Sequence, residues 1–138
     1  MESNTFRLVI LTPYGRYFDN EVEFLNVKSE KYNLGILPKH APLISTLVVS
    51  EMEIRMYNTS FHYAIGGGAI EITKEKVTLI LDSIEKADEI DVDRANHAKE
   101  RAQNRLATKN DPTIDMNRAK LAYTRAVNRL NIALKNRN

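Results

Sequence analysis

The period of the apolar pattern changes once along this chain, near residue 84, and that change dictates two architectures in succession. Before it, apolar residues alternate. "TFRLVIL" places Phe6, Leu8 and Ile10 on one face, "MEIRMY" places Met52, Ile54 and Met56, and "FHYAI" places Phe61, Tyr63 and Ile65. "VTLIL" does the same with Val77, Leu79 and Leu81, and "EVEFLNV" less cleanly. Turn-forming clusters separate these runs: "TPYG" at 12–15, "YNTS" at 57–60 and "TKEK" at 73–76. Short alternating runs of this kind, repeating at roughly 8–12 residues, predict an antiparallel sandwich or barrel. No helix of ten or more residues fits before residue 84.

From Ile90 onward glycine is absent, Pro112 is the only proline and alanine is frequent. "RANHAKERAQNRL" (94–106) and "RAKLAYTRAVNRL" (118–130) are one segment written twice, with eight of thirteen positions identical. "ATKNDPTID" (107–115) interrupts them with the helix breakers Asn110, Asp111 and Pro112, and offers Thr113 or Asp115 as caps. Two helices joined so briefly run antiparallel. The expected organisation is α+β: a β-sandwich over residues 1–84, a linker over 85–89 and a two-helix hairpin over 90–138.

At about 100° per residue, Ala95, Ala98, Ala102 and Leu106 share a face, as do Ala119, Ala122, Ala126 and Leu130. These small residues predict a close seam. Arg94, Arg101 and Arg105 form a row about 80° to one side, repeated by Arg118, Arg125 and Arg129. A two-fold axis between the helices brings both rows to the same side, so six guanidinium groups share one face. In "EIDVDRA", Asp91 is predicted as the N-cap and Asp93 as a first-turn acid suited to the helix dipole.

Charge follows the same division. Residues 1–84 carry 8 Lys/Arg and 10 Asp/Glu, residues 85–138 carry 12 and 8, and after Asp115 there are six bases and no acid. A crowded basic face points to an anion or an acidic partner, because the planar arginine fork binds phosphate or carboxylate bidentately. Other chemistries find little support. The chain has no cysteine for a disulfide or thiolate metal site, and "LVIL" is far too short to span a bilayer. "MESNTFRL" lacks a secretory pattern, which makes a cytoplasmic setting the expectation. His40, His62 and His97 lack metal-ligand spacing, and no Ser-His-Asp arrangement suggests itself. "GGG" at 66–68 is followed by a strand pattern rather than Lys-Ser/Thr and a helix, so it reads as a bulge or close backbone approach.

Taken in order, "VILTPYGRYFDNEVEFLNVKS", "LGILPKHAPLI", "YAIGGGAIEI", "KVTLILDSIEKADEIDVDRA" and "RAVNRLNIA" resemble the epsilon subunit of bacterial F-type ATP synthases along the whole chain. The resemblance implies a sandwich of about ten strands followed by a helical hairpin. It also implies a non-catalytic rotor subunit: the sandwich binds the gamma subunit and the membrane-embedded c-ring on the cytoplasmic side, and the membrane is met only through the complex. The hairpin folds back or extends along gamma, where its bases (Arg118, Arg125 and Arg129 by position) meet the beta subunit, within reach of alpha, and inhibit ATP hydrolysis.

The resemblance further implies that ATP is a regulatory ligand rather than a required cofactor. "IDVDRA" is similar to the pattern Ile/Leu-Asp-x-x-Arg-Ala of ATP-sensing epsilon subunits. By position, Ile90, Asp91, Arg94 and Ala95 are ligand residues, with Glu85 as supporting acid and Arg118, Arg125 and Arg129 as the basic residues of the second helix. In the c-ring loop Asn33 replaces the family's glutamate and Lys39 a glycine, while His40 keeps its place. Gly66 stands where many members carry serine. Two readings from other classes are a helical adaptor without nucleotide, for which the alanine seam suffices, and a nucleic-acid binder. The second is disfavoured by the slightly acidic sandwich and by arginine rows with no aromatic except Tyr123.

Overall fold

The computed structural model describes residues 4–108 and 110–136, which form two compact units that divide between Lys86 and Ala87. The first unit contains strands only: β1 (Phe6–Thr12), β2 (Gly15–Val22), β3 (Phe24–Lys28), β4 (Asn33–Ile36), β5 (Leu43–Met56), β6 (Thr59–Ile72), β7 (Val77–Leu81) and β8 (Ile84–Lys86). The ladder runs β2-β1-β7-β6-β5-β3-β4, with β8 on the free side of β6.

Eight strands and the expected ten are reconciled by β5 and β6, which are each 14 residues long. Their ladder is interrupted at Val48 and Gly67, between the pairs Leu47–Gly68 and Val49–Gly66. On one side of the break, β6 pairs with β7, β7 with β1 and β1 with β2; on the other, β6 pairs with β8, β5 with β3 and β3 with β4. Each long strand therefore serves two five-stranded halves. Gly67 has φ +95°, and a Cβ on Gly68 (φ +151°) would strike the Ile80 carbonyl oxygen. Only glycine fits at these two places. The "GGG" segment is thus the corner of the sandwich.

The alternation seen in the sequence is the core. Leu8, Ile10, Met52, Ile54, Tyr63, Ile65, Val77, Leu79 and Leu81 are all buried, in one cluster with residues of both halves such as Leu25, Ile36 and Ile70. "EVEFLNV" reads less cleanly because β2 ends at Val22 and β3 begins at Phe24; Glu23, between them, sends its N–H to the Arg55 carbonyl. One expectation needs correcting: the sandwich is not wholly antiparallel, since β1 and β7 pair in parallel. Neighbours that are distant in sequence leave no local signal of their relative direction. Tyr17 is a second local surprise. The β1–β2 register shifts by one residue between Ile10 and Leu11, leaving Tyr17 as the extra residue of a bulge. Its ring meets that of Tyr63 edge-on, with centroids 6.5 Å apart. The β5–β6 hairpin turns on Tyr57 and Asn58, both at positive φ as a two-residue type I′ turn requires.

The second unit begins with a single 3-10 turn, Ala87–Glu89, followed by α1 (Val92–Ala107) and α2 (Met116–Asn136). The expected linker 85–89 is therefore ordered throughout, its first two residues in β8 and the rest in this turn. The turn packs on α2, and α1 packs on α2 along the predicted seam. Ala95, Ala102, Ala119, Ala126 and Leu130 are buried; Ala98 and Ala122 are only half-buried. Small residues seven apart let the backbones approach closely, and the apolar area buried is correspondingly modest. Ala87 of the 3-10 turn, Ile90, and Ile132 and Ala133 of α2 are also buried.

Candidate functional site

Asp91 answers the local demand of α1 first. Its backbone is extended (φ −79°, ψ 103°) and its Oδ1 accepts the Arg94 N–H at 3.0 Å. Asp115 does the same for α2: its Oδ1 accepts the Arg118 N–H at 3.1 Å and its carbonyl the Ala119 N–H at 3.0 Å. Of the two caps expected for α2, Asp115 is the one used. Thr113 instead turns the connection, giving its N–H (2.9 Å) and hydroxyl (2.6 Å) to Asp111 Oδ1. These two bonds hold the Asp111 carboxyl below its ordinary pKa.

Arg94 lies in the first turn of α1, and the 3-10 turn just ahead of it packs on α2. In the antiparallel hairpin that turn faces the later part of α2, where Arg125 and Arg129 lie. Setting the buried Ala95 and Ala102 of α1 against the buried Ala126 and Ala119 of α2, which also keeps the 3-10 turn on α2, puts Arg94 at about the level of Arg125 and Arg129. The hairpin therefore gathers Asp91, Arg94, Arg125 and Arg129 at its open end. Arg118 is not among them. It sits in the first turn of α2, about 10 Å along the axis from Arg125.

Exposure distinguishes these residues. Arg94 and Arg118 are exposed, and neither pairs with a carboxylate among the described residues. Arg125 is half-buried, and its Nε is inaccessible to solvent with no hydrogen-bond partner among the described residues. A donor buried without an acceptor carries a desolvation cost that an anion would remove. Ala95 is fully buried and Ile90 is 1% exposed, so their side chains are committed to packing. Any ligand contact they make is through the main chain.

Glu85 belongs to the other unit, in β8, where it stands opposite Ala64 of β6. Glu51 flanks the same alanine from β5, and Glu53 stands opposite His62, whose Nδ1 lies 3.1 Å from Glu51 Oε2. Glu51, Glu53 and Glu85 thus line one strip of the sheet's outer face. Nothing in the sequence signalled that strip, since only the strand register brings these acids together.

The loop residues Asn33 and His40 are both exposed, yet they lie at opposite ends of β4: Asn33 opens the strand and the loop bearing His40 follows Ile36, about 10 Å on. His40 Nδ1 lies 2.7 Å from the Ala41 carbonyl, and Lys39 adopts φ 68°. The departure at Gly66 is explained by packing. A Cβ there would collide with the Ser83 hydroxyl, so Ser83 fills the space that a serine at position 66 would need. On the outer face of the half built on β1 and β7, Ile44 and Ile80 are 76% and 58% exposed and lie diagonally across β6. No described helix is long and apolar enough to cross a membrane.

A strand-only unit followed by an alanine-seamed hairpin defines a class of two-part chains, and comparison with known proteins narrows it. Residues 5–87 match the family described as "ATP synthase, Delta/Epsilon chain, beta-sandwich domain", and residues 88–133 match its "long alpha-helix domain". The chain belongs to the ATP synthase epsilon-chain family. It is 40% identical to the ATP synthase epsilon chain of Bacillus mycoides over 129 residues, covering 94% of this chain and 96% of that one. It is 41% identical to that of Bacillus cytotoxicus with the same coverage. Among solved structures, a chain of the Euglena gracilis mitochondrial ATP synthase superimposes with TM-score 0.79 at 17% identity, covering 96% of this chain and 82% of that chain. That likeness concerns fold alone.

Proposed function

We propose that this chain is a central-stalk subunit of an F-type ATP synthase whose hairpin senses ATP and regulates ATP hydrolysis. The observation that carries the ATP-sensing part is the gathering of Asp91, Arg94, Arg125 and Arg129 at the open end of the hairpin, with a buried Nε on Arg125 that has no partner among the described residues. Membership of the epsilon-chain family supports the stalk role. In this reading the subunit performs no catalysis. Its sandwich docks on the gamma subunit, for which the exposed Ile44 and Ile80 supply an apolar face, and on the c-ring through the Asn33 and His40 region. The complex thereby holds it at the cytoplasmic face of the membrane.

The guanidinium groups of Arg94, Arg125 and Arg129 neutralise the phosphates of ATP bidentately. Asp91 or Glu85 accepts from the adenine amino group or the ribose, so Asp91 serves as both cap and ligand. Bound ATP holds the two helices together and opposes an extended form. In that extended form Arg118, Arg125 and Arg129 meet acidic residues of the beta subunit, beside alpha, and inhibit hydrolysis. Since one ligand shifts such an equilibrium only by its differential affinity, ATP must bind the folded hairpin more tightly.

Calorimetric titration of the full chain with ATP tests the sensing step. Saturable binding lost in both Arg94→Ala and Arg125→Ala is the expected result. Asp91→Asn separates the two roles of the aspartate: asparagine caps equally well, so helicity is kept while affinity falls. No binding at millimolar ATP would leave a helical adaptor whose basic face serves the beta subunit alone.

A further inference from the structure

The duplication in the hairpin runs further than its seam. Extended to the caps, residues 90–106 and 114–130 agree at ten of seventeen positions. Those ten include both caps, the seam alanines and all three arginine pairs. The caps are equivalent in structure as well, each accepting the N–H three residues on, at 3.0 Å for Asp91 and 3.1 Å for Asp115. If the buried alanines face each other along the seam, Ala95 with Ala126 and Ala102 with Ala119, a two-fold rotation that exchanges the helices carries each copy onto the other. It carries Arg94, Arg125 and Arg129 at the open end onto Arg118, Arg101 and Arg105 at the loop end.

Packing explains the repeated alanines and capping explains the repeated aspartates, but neither explains three guanidinium groups at the loop end. All three are exposed, and none pairs with a carboxylate among the described residues. Like charges gathered within a turn or two repel, if only weakly, and a feature kept in both copies without a structural task points to a ligand. Glu85 lies outside the repeated segment, so the loop-end copy lacks that second acceptor for a base.

We propose that the loop end of the hairpin is a second oligophosphate site, equivalent by the internal two-fold to the open end, with Arg101, Arg105 and Arg118 as its ligands. The site takes a chain of two or three phosphates and is indifferent to the base. Its chemistry rests on the reading of the open end as a phosphate site, although its three arginines are distinct from those of that site.

The test is a nitrogen–proton NMR titration of the full chain with sodium tripolyphosphate, which has no base, at physiological ionic strength. Two sets of shifts are expected, one around Arg94 and Ala95 and one around Arg118 and Ala119. The double variant Arg101→Gln/Arg105→Gln should lose the second set, weakening it about tenfold or more, and keep the first; Arg94→Gln should do the reverse. Arg118→Gln repeats the loop-end test should the double variant disturb α1. Loop-end amides that do not move in the wild type overturn the proposal, as do loop-end shifts that survive in the double variant. If the loop end responds and the open end is silent, the proposal stands and the ATP-sensing reading of the open end fails.

Discussion

Lys39 holds a left-handed backbone (φ 68°) for which a side chain costs about 1 kcal/mol. Glycine would remove that cost, while its freer unfolded chain would return part of it. Lys39→Gly should therefore stabilise the full chain modestly, by about 0.5 kcal/mol, seen as a higher urea midpoint. A midpoint that stays or falls would mean that the lysine side chain offsets its own backbone strain. The Arg7–Asp19 pair makes a prediction of the opposite kind. Arg7 donates Nε and Nη2 to the two Asp19 oxygens at 3.0 and 2.9 Å, and Arg16 adds Nη1 at 3.2 Å. The Arg7 bond, more than any other influence, holds the Asp19 carboxyl below its ordinary pKa. Because the folded value is the lower one, the pair stabilises fully above about pH 4 and its contribution fades as pH falls through the folded value. Thermal melts of wild type and Asp19→Asn should differ by a constant, small amount from neutral pH down to about pH 5 and converge below it. A difference that grows on acidification would refute this.

Two elements carry constraints that a single residue does not. The seam admits nothing larger than alanine at its centre: Ala102→Leu should cost the hairpin about 1–3 kcal/mol, read as helical ellipticity during melting, and Ala98→Leu, at a half-buried site, distinctly less. Equal losses would place the contact line elsewhere. At the corner, Gly66→Ser should destabilise through its clash with Ser83 and be rescued in Gly66→Ser/Ser83→Gly, with a coupling of about 1 kcal/mol. Additive effects would show that the two positions do not share the space. These elements also mark what the sequence could reveal. Strand faces and helix caps were readable because period two and Asp-x-x-Arg-Ala are local signals. The parallel β1–β7 pair, the Tyr17 bulge and the Glu51–Glu53–Glu85 strip were hidden, since each depends on which distant strands meet and in what register.

At the scale of the molecule the division into two units, each with its own buried core, governs what a ligand can do. The proposed site was half legible: the arginine rows followed from the repeat, whereas the burial of the Arg125 Nε depends on side-chain packing that no local pattern encodes. A ligand that binds only the folded hairpin adds its binding free energy to that fold, about 2.7 kcal/mol at a hundredfold excess over Kd. The hairpin buries little apolar area in its seam, so this addition is large against its own stability. Hydrogen exchange of the full chain with saturating ATP should then slow the seam amides of α1 and α2 by up to about a hundredfold, since 1.4 kcal/mol is a factor of ten. The β1–β7 ladder of the sandwich should exchange as before. Protection spread evenly over β1–β7 would mean that ATP is held by the sandwich. Unchanged exchange in both helices would separate the arginine cluster from ATP and leave it to an acidic partner.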